Sequence, residues 1–180
     1  MSLDDLDLDA RARRIRLLCT DVDGVLTNGE LDFPGEGGHT KRFNVRDGAG
    51  ITFLKRQGIH VAFISGLDSP STWARARHLG LEDCFAGSLA KGPILEQLCA
   101  KYGLEMHEVA HIGDDLADLS LLDRVGLACC PQDAVEEVKS ACHWVVPENG
   151  GHGVLRAVAE RVLKAQGAWD AIVASHRGRS

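Results

Sequence analysis

The sequence predicts an α/β protein: a Rossmann-like parallel sheet with helices on both faces, no lid domain, and a small β-hairpin insertion after the first strand. Short apolar runs alternate with segments whose apolar residues have helical spacing, which is the pattern of βαβ units. Polar residues suited to chemistry directly follow several of these runs, as expected when ligands bind at the carboxyl ends of parallel strands. The 180 residues, 44% of them hydrophobic, suffice for one domain with a substantial core.

The first third of the chain provides a polar leader, a strand, a hairpin and a helix. In order, these are predicted at 1–14, at 15–20, at 30–33 paired with 40–44, and at 51–57. The hairpin is expected because 34–38 is rich in glycine, which is typical of a turn between two strands. The helix carries apolar residues at helical spacing and is expected to end at Gly58.

The rest of the chain alternates strands with helices. Strands are predicted at 60–64, 84–86, 109–112, 125–128 and 143–146, and helices at 69–79, 93–102, 116–123, 134–139 and 154–164. Ser69 and Pro70 are typical of the first positions of a helix, and Gly103 is typical of the residue that follows one. We therefore expect a single domain over 15–164 and a polar tail over 165–180.

The composition limits the classes of function. A net charge of -6 argues against general nucleic-acid binding. The apolar run after the amino-terminal arginines is too short for a signal peptide or a membrane span, so we expect a cytoplasmic protein without a membrane partner. The six cysteines include no CxxC pair, which favours buried free thiols in a reducing compartment over zinc binding or disulfides.

Asp21 and Asp23 are the most informative residues of the chain. They follow an apolar run, and two like charges at the end of a core strand are costly unless a cation or a reaction requires them. Asp21 is suited to attack a phosphorus atom as a nucleophile, and Asp23 to transfer a proton to and from the reacting oxygens. Gly24 allows the chain to turn sharply beside the substrate.

A divalent cation would offset the charge of this pair. Mg²⁺ prefers oxygen ligands and keeps several waters, so one or two carboxylates suffice to bind it. The expected ligands are the carboxylates of Asp21 and Asp114 and the backbone carbonyl of Asp23. The sequence therefore predicts a magnesium site at the carboxyl edge of the sheet.

Three further positions are suited to binding a phosphate group. Ser65 follows the second buried strand with the amide of Gly66 beside it, and Lys91 lies in the loop before the third predicted helix. A hydroxyl, an amide and an ammonium group all donate to phosphate oxygens. Each residue alone also fits a structural role, since Ser65 is typical of a turn, Lys91 of a solvated loop and Asp114 of a helix cap. Their order at successive strand ends favours one common site.

This order of motifs resembles the haloacid dehalogenase superfamily of phosphatases. The matching runs are Asp21-Val22-Asp23-Gly24, Ser65, Lys91 and Gly113-Asp114-Asp115-Leu116-Ala117-Asp118. The resemblance covers most of the chain. It implies a Mg²⁺-dependent reaction through an aspartyl phosphate, with Asp115 and Asp118 supporting the residues that bind the metal.

Two further segments resemble the 3-deoxy-D-manno-octulosonate 8-phosphate (Kdo 8-phosphate) phosphatase family, at 41–51 and 149–153. Those enzymes are small, lidless and typically tetrameric, and the hairpin builds the tetramer. The resemblance implies a homotetramer in which a neighbouring subunit shields the site from water. It also implies that Arg46 and Asp47 lie near a small phosphorylated sugar-acid substrate. The tail is expected to be disordered or to reach a neighbouring site.

Two positions differ from the pattern of that family. Leu67 stands where the octulosonate enzymes usually carry Arg, and His152 replaces the Arg of their late Gly-Gly-Arg-Gly run. The related nonulosonate 9-phosphate phosphatases tend to have Glu at both places. Both positions are expected to contact the sugar-acid end of the substrate, so a nonulosonate 9-phosphate or another sugar phosphate is the alternative substrate.

Three other classes of protein share parts of this pattern. A receiver domain also uses Asp, Mg²⁺, Ser or Thr and Lys, but its acidic pair comes before its phosphoacceptor. A calcium-binding loop requires Gly at its sixth position, whereas Gly24 is at the fourth position when Asp21 is counted as the first. A non-catalytic scaffold on the same fold would not need all the polar residues of the motifs. The sequence therefore favours a phosphomonoesterase.

Overall fold

A computed structural model of the chain describes residues 3–33 and 39–178, and its centre is a six-stranded sheet with every pairing parallel. The strands are β1 Leu17–Thr20, β2 His60–Ser65, β3 Asp83–Ala86, β4 Val109–Ile112, β5 Leu127–Cys130 and β6 Trp144–Val145. Their order across the sheet is β3-β2-β1-β4-β5-β6. The predicted parallel sheet is confirmed.

Helices cover both faces of this sheet. They are α1 Leu3–Ala12, α2 Val45–Arg56, α3 Pro70–His78, α4 Lys91–Tyr102, α5 Leu119–Leu122, α6 Glu136–Ala141, α7 Val154–Ala165 and α8 Trp169–Arg177, with 3₁₀ turns at Met106–Glu108 and Leu116–Asp118. Buried residues of α1, α2, α3 and α7 form one core, and those of α4, α5 and α6 form the other. In the described part of the chain, no helix has both the length and the apolar character needed to cross a membrane.

β1 lies at the centre of both cores because its side chains alternate. Leu18 packs into the core beneath α2 and α7, whereas Leu17 and Cys19 pack into the core beneath α4, and all three are fully buried. Strands covered on both faces require apolar residues at every position, which explains the continuous apolar run before Asp21. The motif that follows is therefore attached to the most rigid part of the molecule.

The cysteines are free, as predicted. Two of them, Cys84 and Cys142, are partly exposed. The other four are buried: Cys19, Cys99, Cys129 and Cys130. Burial raises the pKa of the Cys19 and Cys129 thiols, so these groups remain protonated.

Both ends of the chain are helical, and the expectation of a disordered tail is wrong for the residues that the structure describes. In α1, Leu8 and Ala12 are four residues apart and bury one face of the helix in the core. In α8, Trp169 packs against this core, with its ring 6.1 Å from that of Phe53. The charged residues of both segments obscure these narrow apolar faces in the sequence.

The predicted hairpin is represented by one antiparallel bridge between Asp32 and Thr40. The Thr40 amide donates to the Asp32 carbonyl over 2.9 Å, and the reverse bond measures 3.4 Å. The turn at 34–38 lies outside the described residues, so the hairpin itself stays a prediction. Its second arm is shorter than expected, because the Asn44 side chain accepts a hydrogen bond from the Arg46 amide and caps α2.

Several predicted element boundaries are shifted. α2 begins six residues earlier than expected because Asn44 caps it, and α4 begins at Lys91 rather than at Pro93. β5 begins two residues later, because the Val125 amide still donates to the Leu121 carbonyl at the end of α5. α6 likewise begins and ends two residues later than predicted.

The topology places the site at the carboxyl end of β1. After β1 the chain adds β2 and β3 on one side of β1, and it then crosses to add β4 on the other side. The direction in which successive strands are added therefore reverses at β1. Ligands bind in the crevice at such a reversal in open parallel sheets. The chain between β1 and β2 forms the segment that contains the Asp32–Thr40 bridge and then α2, and no separate lid domain is present among its described residues.

Candidate active site

Asp21 is held rigidly at the end of β1. Its amide donates to the Ile112 carbonyl over 2.9 Å, which extends the ladder with β4, and the Thr20 hydroxyl donates to its carbonyl over 2.7 Å. The residue is 7% exposed, so its carboxylate faces a narrow opening. The position is suited to a group that must meet a substrate in one orientation.

Three carboxylates meet at this opening. Oxygens of Asp21, Asp114 and Asp118 all lie within 4.8 Å of one another. Asp114 follows β4 and packs against Gly24, where φ is +85° and an added Cβ would lie 2.0 Å from Asp114 Oδ2. Only glycine both adopts this backbone conformation readily and leaves room for the carboxylate. Gly24 thus brings the loop after β1 into contact with the loop after β4.

Lys91 joins two of these carboxylates. Its Nζ donates to Asp21 Oδ1 over 2.8 Å and to Asp118 Oδ1 over 2.7 Å, and its side chain is 2% exposed. Burial disfavours the ammonium, but the two adjacent carboxylates outweigh this effect and raise the pKa of Lys91. The prediction of a loop position for Lys91 is wrong, because it is the first residue of α4 and is held by its ion pairs.

The cluster carries more negative charge than Lys91 can neutralise. Burial and the charges of Asp21, Asp118 and Asp115 raise the pKa of Asp114 to about 8. Burial also raises the pKa of Asp21 despite the opposing charge of Lys91. Among the described residues, Asp114 Oδ1 is buried without a hydrogen-bond partner. Oxygen ligands with uncompensated charge fit a hard divalent cation such as Mg²⁺.

Asp118 is itself a member of the carboxylate cluster, whereas the resemblance implied only that it supports the residues that bind the metal. Its Oδ1 accepts from Lys91 and lies 2.8 Å from His111 Nε2, while its Oδ2 accepts from the Asp114 amide over 3.2 Å. Burial opposes ionisation of Asp118, but the hydrogen bond and charge of His111, together with Lys91, lower its pKa. Sequence reasoning missed His111, whose signal is a histidine inside an otherwise apolar strand.

Asp23 points to a different set of partners. Its Oδ2 accepts from Lys41 Nζ over 2.8 Å and lies 3.4 Å from the Ser65 hydroxyl. Lys41 also donates to the Thr72 hydroxyl over 3.0 Å. The Asp23 side chain is therefore outside the three-carboxylate cluster, and the prediction of its backbone carbonyl as a metal ligand stays a prediction. Sequence reasoning included Lys41 only within the segment 41–51 that carries the family resemblance, without a role at the site, and it missed Thr72. Lys41 reaches the site from the segment before α2, and Thr72 reaches it from α3.

Ser65 and Gly66 lie beside Asp23 at the end of β2. Ser65 is 1% exposed, and its hydroxyl also accepts from the Leu67 amide over 3.3 Å. An added Cβ on Gly66 would lie 2.7 Å from the Leu89 side chain, so the loops after β2 and β3 are in contact here. Two hydrogen-bond donors suited to phosphate oxygens thus lie at the same opening as Asp23.

Two other predicted site residues, Asp47 and Asp115, make their hydrogen bonds outside the carboxylate cluster. Asp47 is buried in α2 and accepts from the Arg156 amide over 2.9 Å, which joins α2 to α7. Asp115 caps the turn after β4 by accepting from the Leu116 amide over 2.8 Å. In the described residues, no hydrogen bond or ion pair connects Asp47 or Asp115 to Asp21 or Asp23. Burial raises the pKa of Asp47 to about 6.

Arg46 and His152 share a second opening. Both are exposed and line a cavity of about 740 Å³ next to α1 and α7. His152 also lines a cavity of about 280 Å³ with Asn44 and the hairpin arm. The loop that carries His152 packs on the loop after β1, through a 2.9 Å bond from the Gly151 amide to the Val25 carbonyl. Contact of these two residues with a substrate stays a prediction.

Comparisons with known proteins agree with this geometry. A family model described as haloacid dehalogenase-like hydrolase matches residues 71–158. The 3-deoxy-D-manno-octulosonate 8-phosphate phosphatase of Haemophilus influenzae is 38% identical over 160 residues, which cover 89% of this chain and 89% of that protein.

Two solved structures are similar over nearly the whole chain. A probable YrbI family phosphatase of Pseudomonas syringae has a TM-score of 0.94 at 38% identity, over 97% of this chain and 99% of that one. The 3-deoxy-D-manno-octulosonate 8-phosphate phosphatase of Moraxella catarrhalis, in complex with magnesium ion, phosphate ion and KDO, has a TM-score of 0.92 at 35% identity. That match covers 94% of this chain and 98% of the other.

Proposed function

This chain belongs to the haloacid dehalogenase-like hydrolases, and within them to the 3-deoxy-D-manno-octulosonate 8-phosphate phosphatase family, and from this premise we propose that it is a Mg²⁺-dependent Kdo 8-phosphate phosphatase. The observation that supports this best is the arrangement of Asp21, Asp114 and Asp118 around Lys91. A receiver domain or a non-catalytic scaffold does not account for both this cluster and the family membership.

We assign the attack on phosphorus to Asp21. Its carboxylate oxygen forms a bond to the phosphorus while the bond to the sugar oxygen breaks. Asp21 and Asp114, with Asp118 beside them, would hold Mg²⁺, and the bound ion would supply positive charge to the phosphoryl oxygens. Lys91 adds a fixed charge, and Ser65 and the Gly66 amide donate hydrogen bonds to the same oxygens.

Asp23 is the group we assign to proton transfer. It protonates the sugar oxygen as that oxygen departs, and it then takes a proton from the water that attacks the phosphorylated Asp21. Its position supports this role, because it lies outside the metal cluster, and its Oδ1 is buried without a partner among the described residues. Each carboxylate of the motif thus has one task.

The decisive experiment is a substrate screen with the purified chain. Phosphate release is measured with and without Mg²⁺ from Kdo 8-phosphate, a nonulosonate 9-phosphate and common sugar phosphates. We expect Mg²⁺-dependent release with the highest kcat/KM for Kdo 8-phosphate. A higher kcat/KM for the nonulosonate would support the alternative substrate, which the departures at Leu67 and His152 leave open because they match neither group. Absence of release from every ester would refute the function.

Leu67→Arg is expected to raise preference for Kdo 8-phosphate. Leu67 is 36% exposed beside Ser65, so a guanidinium there has space to donate to the sugar-acid carboxylate. We expect kcat/KM for Kdo 8-phosphate to rise about tenfold relative to glucose 6-phosphate, the scale of one charge-assisted hydrogen bond. Leu6→Arg, at an exposed leucine of α1, is the matched control. An unchanged ratio would show that position 67 does not set specificity.

We also propose that the chain forms a homotetramer. Large apolar side chains are exposed at the lidless opening, with Leu89 at 73% and Leu116 at 57%, and Phe33 of the hairpin arm is 70% exposed. Apolar groups this exposed are typical of surfaces that a partner covers. Light scattering is expected to give about four times the 19.4 kDa mass of one chain. Phe33→Asp is expected to lower that mass, and a monomeric wild type would contradict the proposal.

Two further assignments complete the proposal. Residues 15–164 form a single phosphatase domain. The helices α1 and α8, at its two ends, pack against the core that contains the buried residues of α7. The protein acts in the cytoplasm, an assignment supported by six free cysteines.

A further inference from the structure

Lys41 is a buried cation that the reaction described above does not use. It lies between the hairpin and α2, and its side chain is fully buried. Burying an ammonium is costly unless it is paired and hydrogen-bonded, so a buried lysine requires a reason. Lys41 has two acceptors, Asp23 Oδ2 at 2.8 Å and the Thr72 hydroxyl at 3.0 Å. Each of the two motif aspartates therefore has its own lysine, Lys91 for Asp21 and Lys41 for Asp23.

These contacts leave one oxygen of Asp23 available. Oδ2 is occupied by Lys41 and approached by Ser65, whereas Oδ1 is buried and has no partner among the described residues. A group that transfers a proton must present one oxygen to the reacting atom in a fixed direction. Rotation of the carboxylate would break the bond to Lys41, so the ion pair fixes the orientation of the Asp23 carboxylate and leaves Oδ1 as its unpaired oxygen within the described part of the chain.

Thr72 fixes the other end of this arrangement. It is fully buried in the first turn of α3, and its hydroxyl accepts from Lys41. The ammonium is thus held between β1 and α3 by two hydrogen bonds in different directions.

We propose that Lys41 is a positioning residue, which holds Asp23 by Oδ2 so that Oδ1 exchanges protons with the reacting oxygens. In the first step the proton on Asp23 moves to the sugar oxygen, as the bond from that oxygen to phosphorus breaks and the bond from Asp21 forms. In the second step Asp23 takes a proton from water, as the water oxygen attacks phosphorus and the Asp21–phosphorus bond breaks. This inference rests on the proposed phosphatase function.

The competing explanation is that Lys41 merely attaches the segment before α2 to the core. The two explanations differ in how the rate depends on the leaving group. A 4-nitrophenolate departs without a proton, whereas the alkoxide of a sugar phosphate requires one. Because kcat/KM reports the steps up to departure of the leaving group, it isolates this difference from the later hydrolysis.

The test compares Lys41→Met with wild type on Kdo 8-phosphate, the sugar phosphate of the proposed function, and on 4-nitrophenyl phosphate. For the sugar phosphate we expect kcat/KM to fall about 10²-fold, the scale of lost general acid catalysis, and for the aryl phosphate less than about fivefold. Asp23→Asn is expected to show the same discrimination, and the double variant is expected to be no slower than Asp23→Asn alone, since Lys41 acts through Asp23. Lys41→Arg is expected to recover part of the loss because it keeps a donor.

Lys55→Met is the matched control, because Lys55 donates to the Leu79 and Gly80 carbonyls after α3 and is exposed. If Lys41→Met does not fold, Thr72→Val replaces it and is expected to show the same discrimination at about fivefold. An equal fall on both substrates, or an effect additive with Asp23→Asn, would overturn the role of Lys41 alone. A wild type that releases phosphate from no ester of the substrate screen, Kdo 8-phosphate included, would refute the phosphatase function and with it the premise of this role.

Discussion

Asp21→Asn is expected to lose phosphatase turnover by about 10⁴-fold or more, the scale of removing a catalytic nucleophile. The amide has nearly the shape of the carboxylate but does not attack phosphorus, so binding is expected to survive while chemistry stops. The measurement is Mg²⁺-dependent phosphate release under saturating substrate. Acid quenching with labelled substrate should trap a phosphorylated chain in the wild type and none in the variant.

Two controls separate lost chemistry from lost structure. Burial raises the pKa of Asp21, which means that the fold disfavours its charged form, so a neutral amide relieves that cost. The variant is therefore expected to remain folded in metal-free buffer, with Lys91 keeping its ion pair with Asp118. Asp123→Asn, at an exposed acid that follows α5, should keep full activity. A near-wild-type rate for Asp21→Asn would show that another group is the nucleophile.

Gly24→Ala is expected to weaken Mg²⁺ binding and to lower activity at limiting Mg²⁺ by about 10²-fold, the scale of a misplaced reacting group. The new methyl group would lie 2.0 Å from Asp114 Oδ2, so the carboxylate must leave its position in the cluster with Asp21 and Asp118. The positive φ of +85° adds a cost of about 1–2 kcal/mol for a non-glycine residue. The measurement is the Mg²⁺ concentration that gives half-maximal phosphate release.

Gly29→Ala isolates the conformational part of this effect. Its φ is +79°, close to that of Gly24, but the nearest atom to an added Cβ lies 3.8 Å away and belongs to the backbone of Gly24. Gly29→Ala is expected to lose stability without any change in the Mg²⁺ requirement. An equal Mg²⁺ requirement in both variants would contradict the role of Gly24 in placing Asp114.

The sequence was sufficient to predict the parallel sheet and to identify the polar residues that follow its central strands. Asp21, Ser65 and Asp114 could be placed together because strand ends of a parallel sheet meet at one edge. The contacts of Lys41 and His111 could not be predicted, because their partners lie 18 and 7 residues away in sequence. The resemblance includes Lys41 in the segment 41–51 but assigns it no partner. A lysine before an apolar segment ordinarily indicates a solvated position.

The helical ends of the chain show the same limit. The apolar faces of α1 and α8 are narrow, and their burial is decided by the surface of α7, which the sequence of either segment does not contain. The burial of Asp47 in α2 is another example, because its partner is an amide 109 residues away. Local spacing therefore identifies elements, whereas the identity of a polar contact requires the assembled fold.

The carboxylate cluster also links the lifetime of the protein to the supply of its metal. The pKa of Asp114 rises from 3.8 to about 8 on folding, so the metal-free fold loses stability as the pH rises through that range, because the unfolded chain ionises freely. A cation bound only by the folded chain reverses this loss by mass action. Chains without the ion are therefore expected to unfold more readily at neutral pH than chains that hold it. Asp21, Asp114 and Asp118 thus bind the metal that the reaction requires and also make the stability of the fold depend on that metal.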